Sequence, residues 1–98
     1  MTLAVSVEEA KNYLRIDEDV EEDDEIIEQF LKSAQTAAED FCRVEFDESA
    51  SDTVKAAILL HASYYYENRE ATDNVMYHTM LDAFIRLLYP YRDIEKMF

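Results

Sequence analysis

The spacing of apolar residues divides the chain into four segments that are each typical of an α-helix. The predicted helices cover residues 7–15, 24–43, 53–68 and 75–89. The second helix carries a regular i, i+3, i+4, i+7 stripe formed by Ile27, Phe30, Leu31, Ala34, Ala38 and Phe41. Residues 43–51 are predicted to be a connector, because the alternation in Val44-Glu45-Phe46 is too short to indicate a strand. The pattern predicts an all-α fold, a small bundle of four to five helices with short loops.

The third predicted helix is apolar or aromatic around nearly its whole circumference. These positions are Val54, Ile58, Leu59, Leu60, His61, Ala62, Tyr65 and Tyr66. A helix that is apolar on every side is expected to be buried on every side. We therefore predict that residues 53–68 form the central helix. Because a chain of 98 residues cannot easily surround such a helix alone, another subunit is expected to complete part of its cover.

Short local signals mark the ends of these helices. Ser6, with Glu9 three residues later, predicts a capping box at the first helix. Ser51 or Asp52 can cap the third helix, and Pro90 is expected to end the fourth. The chain contains no glycine, which favours a helical fold whose loops need no positive φ angle. The lack of glycine also excludes phosphate-binding glycine loops.

The composition limits the class of protein. A chain of 98 residues with 49% hydrophobic residues is predicted to form one globular domain, residues 1–98. No apolar run is long enough to span a membrane, and Glu8 and Glu9 are unlike a signal peptide. The single cysteine, Cys42, is predicted to be a packed thiol. A net charge of −14 argues against a surface that grips nucleic acid, since phosphate binding needs clustered Lys and Arg.

Eight of the nine residues from Asp17 to Glu25 are acidic, and their mutual repulsion predicts a solvated loop. Alternate carboxylates in this run resemble a calcium-binding loop, but Glu22 stands where that loop requires glycine. His61 has no Cys, Asp or His at ligand spacing and is predicted to be a core or interface histidine, whereas His78 is predicted to be exposed. No serine has a recognisable His and Asp pattern, so no enzyme, cofactor or metal is predicted.

Two features raise the question of contact with other chains. The tyrosines at positions 64–66 point about 100° apart on a helix, so the three rings cannot all enter one core. Either one ring is buried and two lie at the surface, or at least one serves a subunit interface. The segment 91–98 is unusually apolar for a chain terminus. It can fold back on its own core or dock on a neighbour.

Several motifs occur in an order that resembles a known family. They are Leu14-Arg15-Ile16-Asp17, the acidic break, Glu39-Asp40-Phe41, Tyr66-Glu67-Asn68-Arg69-Glu70 and Leu87-Leu88-Tyr89-Pro90-Tyr91-Arg92. Over nearly the whole chain, this order resembles the head–tail connector family of tailed bacteriophages, also called head-completion or adaptor proteins and often described in prophages as DNA-packaging proteins. The chain departs from the family by lacking a proline at the start of the third helix and before the fourth.

The resemblance implies a structural virion protein that forms a ring, typically twelvefold, beneath the portal. Such a ring extends the DNA channel and offers a platform for the tail or the next completion protein. The implied location is the head–tail junction of the virion, with assembly in the host cytoplasm. Expected partners are copies of the chain, the portal protein and a tail or completion protein. DNA is expected to pass without specific binding, because like charges repel.

The family pattern also indicates which residues contact partners. Arg69 and Arg92 are the basic residues expected to matter, although each can instead cap a helix C-terminus or pair with a nearby carboxylate. The connector 43–51 is a further candidate contact. The candidate residues for the subunit or portal interface are Tyr64, Tyr65, Tyr66, Arg69, Tyr91, Arg92, Ile94, Met97 and Phe98.

A second class of function is compatible with the charge. A small acidic regulatory or DNA-mimic protein that binds a basic partner would also carry a large negative charge. A mimic needs carboxylates spread over a continuous folded face. The densest cluster in this sequence is the single run 17–25, which favours the connector.

Overall fold

The computed structural model describes residues 1–68 and 74–93. The helices are α1 (Val7–Leu14), α2 (Asp24–Cys42), α3 (Asp52–Glu67) and α4 (Asn74–Leu88), followed by a short 3₁₀ helix over Tyr89–Tyr91. Over these ranges the chain forms no β-strand. The predicted all-α fold is therefore confirmed, and each predicted helix matches an observed one to within a residue at either end.

The predicted start of α1 is confirmed. Ser6 Oγ accepts a hydrogen bond from the backbone N–H of Glu9 at 3.1 Å, and Glu9 Oε1 accepts one from the N–H of Ser6 at 3.4 Å. Ser51, one of the two predicted caps of α3, accepts from the N–H of Val54 at 3.2 Å. These bonds satisfy amide groups that the first helical turn leaves without an intrahelical acceptor.

The expectation that the loops need no positive φ is wrong. α1 and α2 each end on an arginine in the left-handed region, Arg15 at φ 62° and Arg43 at φ 61°. This conformation lets the N–H of Arg43 reach the carbonyl of Glu39 at 2.8 Å. Glycine usually occupies such a position. Since the chain has none, the two arginines adopt a backbone conformation that costs about 1–2 kcal/mol for an L-residue.

α3 is the central helix, as predicted. It packs most extensively against α2 and α4 and also contacts α1. Its buried residues are Val54, Ala57, Ile58, His61, Ala62 and Ser63. The single chain does not bury the helix on every side, because Ala56 and Glu67 are exposed and Leu60 is only half-buried. Completion of its cover by another subunit stays a prediction. A chain of this length covers three sides of the helix and leaves the fourth open.

Contacts between helix ends define the topology. The Tyr66 hydroxyl, near the C-terminal end of α3, donates to Asp23 at the start of α2. The Tyr64 ring lies 6.0 Å from the Tyr77 ring near the start of α4. Both contacts place the end of α3 beside the starts of its neighbours. α3 is therefore antiparallel to α2 and to α4, which run in the same direction.

A fully buried glutamine ties two extended segments to α2. Gln35 Oε1 accepts from the N–H of Ala4 at 2.7 Å. Gln35 Nε2 lies 2.8 Å from the carbonyl oxygen of Thr2 and 3.0 Å from that of Phe46. The carboxylate of Glu39 accepts from the N–H of Phe46 at 2.8 Å. The N-terminal segment and the connector 43–51 are thus both held on α2 by side-chain amide and carboxylate groups.

Candidate functional site

An apolar groove runs along the open side of α3. Its volume is about 400 Å³, and its lining residues come from α1, α3 and α4. The side chains that define its walls and rim are Tyr13, Leu60, Tyr64, Glu67, Met76 and Thr79. Tyr13 is 54% exposed and Met76 is 50% exposed. The groove is therefore an accessible apolar surface on a chain that is otherwise strongly acidic.

The groove arises from helical periodicity. Leu60, Tyr64 and Glu67 follow the i, i+4, i+7 spacing that places residues on one face of α3. Met76, Thr79 and Ala83 follow the i, i+3, i+7 spacing on the facing side of α4. Both faces turn away from α2, so neither is covered by the longest helix. The prediction that α3 lacks part of its cover therefore corresponds to a defined surface.

The three consecutive tyrosines point to three different places, and each ring is only half-buried. Tyr64 lines the groove. Tyr65 packs between Phe30 of α2, at a centroid distance of 6.2 Å, and Tyr77 of α4, at 6.4 Å. Tyr66 donates to Asp23 with an oxygen–oxygen distance of 2.6 Å. Only Tyr64 of the three therefore lines the apolar groove.

His61 lies within the aromatic cluster that joins α3 to α4. It is 7% exposed, and its ring centroid lies 4.8 Å from Phe84 and 5.1 Å from Tyr65. Among the residues that the structure describes, the buried Nδ1 atom finds no hydrogen-bond partner. Burial in these surroundings lowers the pKa of His61, because the imidazolium would lose its hydration. The prediction of a core histidine is confirmed, and His78 is exposed as predicted.

The same cluster perturbs Tyr65. Burial, a hydrogen bond with Tyr77 and the proximity of the Tyr77 and Tyr64 phenols raise the pKa of Tyr65 to about 12. The phenol consequently stays protonated throughout the physiological range. Tyr65 acts here as a packed, neutral aromatic group and has no role that requires a phenolate.

The residues after α4 pack onto the ends of other helices. The Arg92 guanidinium lies 4.3 Å from the centroid of the Phe41 ring, and its Nε donates to the carbonyl of Phe41 at 3.0 Å. The N–H of Asp93 donates to the carbonyl of Cys42 at 2.8 Å. Arg92 therefore caps a helix C-terminus, which was one of its two predicted roles, but the helix is α2 and not α4. Hydrogen bonds with Ser51 and Thr53 lower the pKa of the Tyr91 phenol at the start of α3.

Cys42 is fully buried and free, which confirms the predicted packed thiol. Its Sγ lies 3.6 Å from the carbonyl oxygen of Leu88, where the ends of α2 and α4 meet. Burial raises the pKa of the Cys42 thiol, and the positive charge of Arg92 only partly opposes this effect. The thiol is therefore poorly suited to act as a nucleophile.

The acidic run is exposed over residues 17–22, as predicted, but it is also anchored at both ends. Lys11 is 3% exposed; its Nζ donates to the carbonyl of Glu18 at 3.0 Å and lies 2.9 Å from Asp24 Oδ1. Tyr66 holds Asp23 from the other side. Across the described ranges, no group of three or more His, Cys, Asp or Glu side chains is arranged to hold a metal ion.

The predicted interface residues are not brought together in one place. Tyr64 lies at the groove, whereas Tyr91 and Arg92 lie at the opposite end of α4. Arg69, Ile94, Met97 and Phe98 lie outside the described residues. Sequence reasoning missed Tyr13, Leu60, Met76 and Thr79, which line the groove, and also missed Gln35 and Lys11. Gln35 was detectable as a polar residue on the apolar stripe of α2, four residues after Leu31.

The structure is that of a small all-helical protein that exposes both apolar and charged side chains. No described helix is both long and apolar enough to cross a membrane. The chain belongs to the phage gp6-like head-tail connector protein family, whose sequence model matches residues 4–92. No curated protein and no solved structure matches the chain significantly. Membership confirms the family indicated by the sequence motifs and defines a structural phage protein of the virion that assembles with other head and tail proteins.

Proposed function

We propose that the protein forms a closed ring beneath the portal, completes the phage head, extends the DNA channel and provides the attachment platform for the tail. The observation that carries this proposal is the family match over residues 4–92. In this role residues 1–98 form one connector domain, with residues 91–98 as a docking tail. The ring consists of copies of this chain, twelve in the form we propose, and contacts the portal protein on one side.

The surface of the chain supports repeated side-to-side contact. The open side of α3 exposes apolar groups that a neighbouring copy can cover. Heterologous contacts between identical chains close into a ring when a whole number of equal rotations completes a full turn without a shift along the axis. The interface includes the groove residue Tyr64, and we place Tyr91 and Arg92 at the contact with the portal.

The charge supports a channel through which DNA passes without being held. The chain has 23 acidic and 9 basic residues, so its field repels phosphate groups. One basic residue, Lys11, is 3% exposed and bound to the acidic run, so it cannot neutralise phosphate. A ring with this charge lets DNA move during packaging and ejection. Assembly takes place in the host cytoplasm, and no catalytic step belongs to this role.

The test is the absolute mass of the purified protein, measured by native mass spectrometry over a range of concentrations, with and without a portal ring. We expect a ring-sized species, or a monomer that assembles only when the portal is added. A control mixture with an unrelated ring-shaped protein should leave the mass unchanged. A monomer or dimer that is indifferent to the portal would overturn the connector ring and would favour a small acidic protein that binds a basic partner.

A further inference from the structure

We propose that the groove between α3 and α4 receives residues 94–98 of a second copy of the chain. The contact is head to tail: the C-terminal segment of one copy enters the groove of the next. This proposal rests on the proposed ring, because the groove contact would join neighbouring copies in that ring. In this arrangement, residues 94–98 of one copy cover the open side of α3 in the next copy.

The chemistry of the groove fits an apolar segment. Its walls are formed by the side chains of Leu60, Tyr64, Met76 and Thr79, with Tyr13 at one edge. A volume of about 400 Å³ can accept a few large side chains. Ile94, Met97 and Phe98 follow the i, i+3, i+4 spacing by which peptide segments present apolar anchors to grooves. Methionine and aromatic side chains are also enriched at the buried centres of interfaces.

The balanced charge of residues 94–98 makes them a better occupant of the groove than most other segments of this acidic chain. Glu67 stands at the rim of the groove and is exposed. With 23 acidic residues and 9 basic ones, most segments of a second copy would bring further carboxylates against this rim. Residues 94–98 carry one glutamate and one lysine and are therefore neutral in side-chain charge. They approach Glu67 without the repulsion that an acidic segment would meet.

The reach of residues 94–98 disfavours the far end of the groove in the same chain. Asp93 is bonded to Cys42 at the C-terminal end of α2, and the groove has no lining residue from α2. Met76 lies twelve residues before Leu88, which is about 18 Å along a helix with a rise of about 1.5 Å per residue. Five fully extended residues span at most about 18 Å. Because Asp93 lies beyond Leu88 and is held at the end of α2, this maximum reach does not exceed the distance to the Met76 end of the groove in the same chain. The groove of a second copy carries no such limit.

The first test uses a labelled peptide of residues 91–98 and the full-length double variant Met97→Asp/Phe98→Asp, whose groove is intact and whose own tail cannot compete. We expect saturable binding of the peptide. Adding Thr79→Glu to this receptor should weaken binding about tenfold or more, because the new carboxylate is placed against apolar anchors. The matched change Thr36→Glu, on an exposed position of α2, should leave binding unchanged. Absent binding, or equal binding to both variants, would overturn the proposal.

The second test is complementation in solution. The tail variant Met97→Asp/Phe98→Asp and the groove variant Thr79→Glu should each fail to self-associate, while their mixture forms a one-to-one dimer through the intact groove and the intact tail. Circular dichroism confirms that each variant is folded. If the wild-type protein forms rings on the portal but the peptide does not bind, the groove contact is wrong and the connector ring stands. If the peptide binds but the protein stays a monomer or dimer with and without the portal, the contact stands and the connector ring is wrong.

Discussion

Replacing Gln35 by leucine should destabilise the protein by about 2–4 kcal/mol. The side chain is fully buried, and leucine has a similar volume, so the change removes polar contacts and creates little cavity. It leaves the buried N–H of Ala4 without its acceptor at 2.7 Å, and an unpaired buried donor costs about 1–3 kcal/mol. The carbonyl of Phe46 also loses a donor at 3.0 Å. The carbonyl of Thr2 adds little, because Thr2 is exposed and water can replace the amide.

The measurement is urea unfolding of the full-length protein, with the free energy of unfolding taken from the midpoint and slope. Gln29→Leu is the matched control, because Gln29 lies on the same helix and is exposed. It should change stability by less than about 0.5 kcal/mol. Hydrogen exchange should also show faster exchange of the Ala4 amide in Gln35→Leu. A Gln35→Leu variant within about 0.5 kcal/mol of the wild type would refute the assignment of Gln35 as the residue that ties both segments to α2.

Three further predictions follow from other described residues. Arg43→Gly should be about 1 kcal/mol more stable than Arg43→Ala in urea unfolding, because only glycine relieves the strain of φ 61°; equal stability of the two variants would show that the position is unstrained. Burial lowers the pKa of His61 below the ordinary 6.5, so at acidic pH the unfolded state binds more protons than the folded state. The contribution of His61 to stability is therefore complete above about pH 6.5 and is lost as the pH falls. Between about pH 7.5 and pH 5, the free energy of unfolding should therefore fall less for His61→Leu than for the wild type. The two slopes should differ by up to about 1.4 kcal/mol per pH unit, and identical pH profiles would contradict this reasoning. Cys42 should react with a thiol reagent only as fast as the protein opens, so that labelling accelerates in urea, and rapid labelling of the native protein would refute its burial.

The helices and their ends were predictable because the signals are local. The capping box needs only Ser6 and Glu9, and the stripe on α2 needs only its own spacing. The exposure of residues 17–22 follows from the repulsion between neighbouring carboxylates. The family could also be recognised from the order of short motifs, and the match over residues 4–92 confirms it. The helices, their caps and the exposure of residues 17–22 depend on residues that are close together in the chain, whereas the family depends on the order of motifs along it.

The partners of individual side chains were decided by the tertiary structure alone. Periodicity places Gln35 on the apolar face of α2, but only the packed chain brings Ala4 and Phe46 to its amide. Arg92 follows α4 in sequence yet caps α2, because the ends of these two parallel helices meet. The groove has the same origin: α3 is apolar nearly all round, and only the arrangement of α1, α2 and α4 determines which of its sides stays open. An apolar pattern specifies that a face needs cover, whereas the geometry of the neighbouring helices determines which faces receive it.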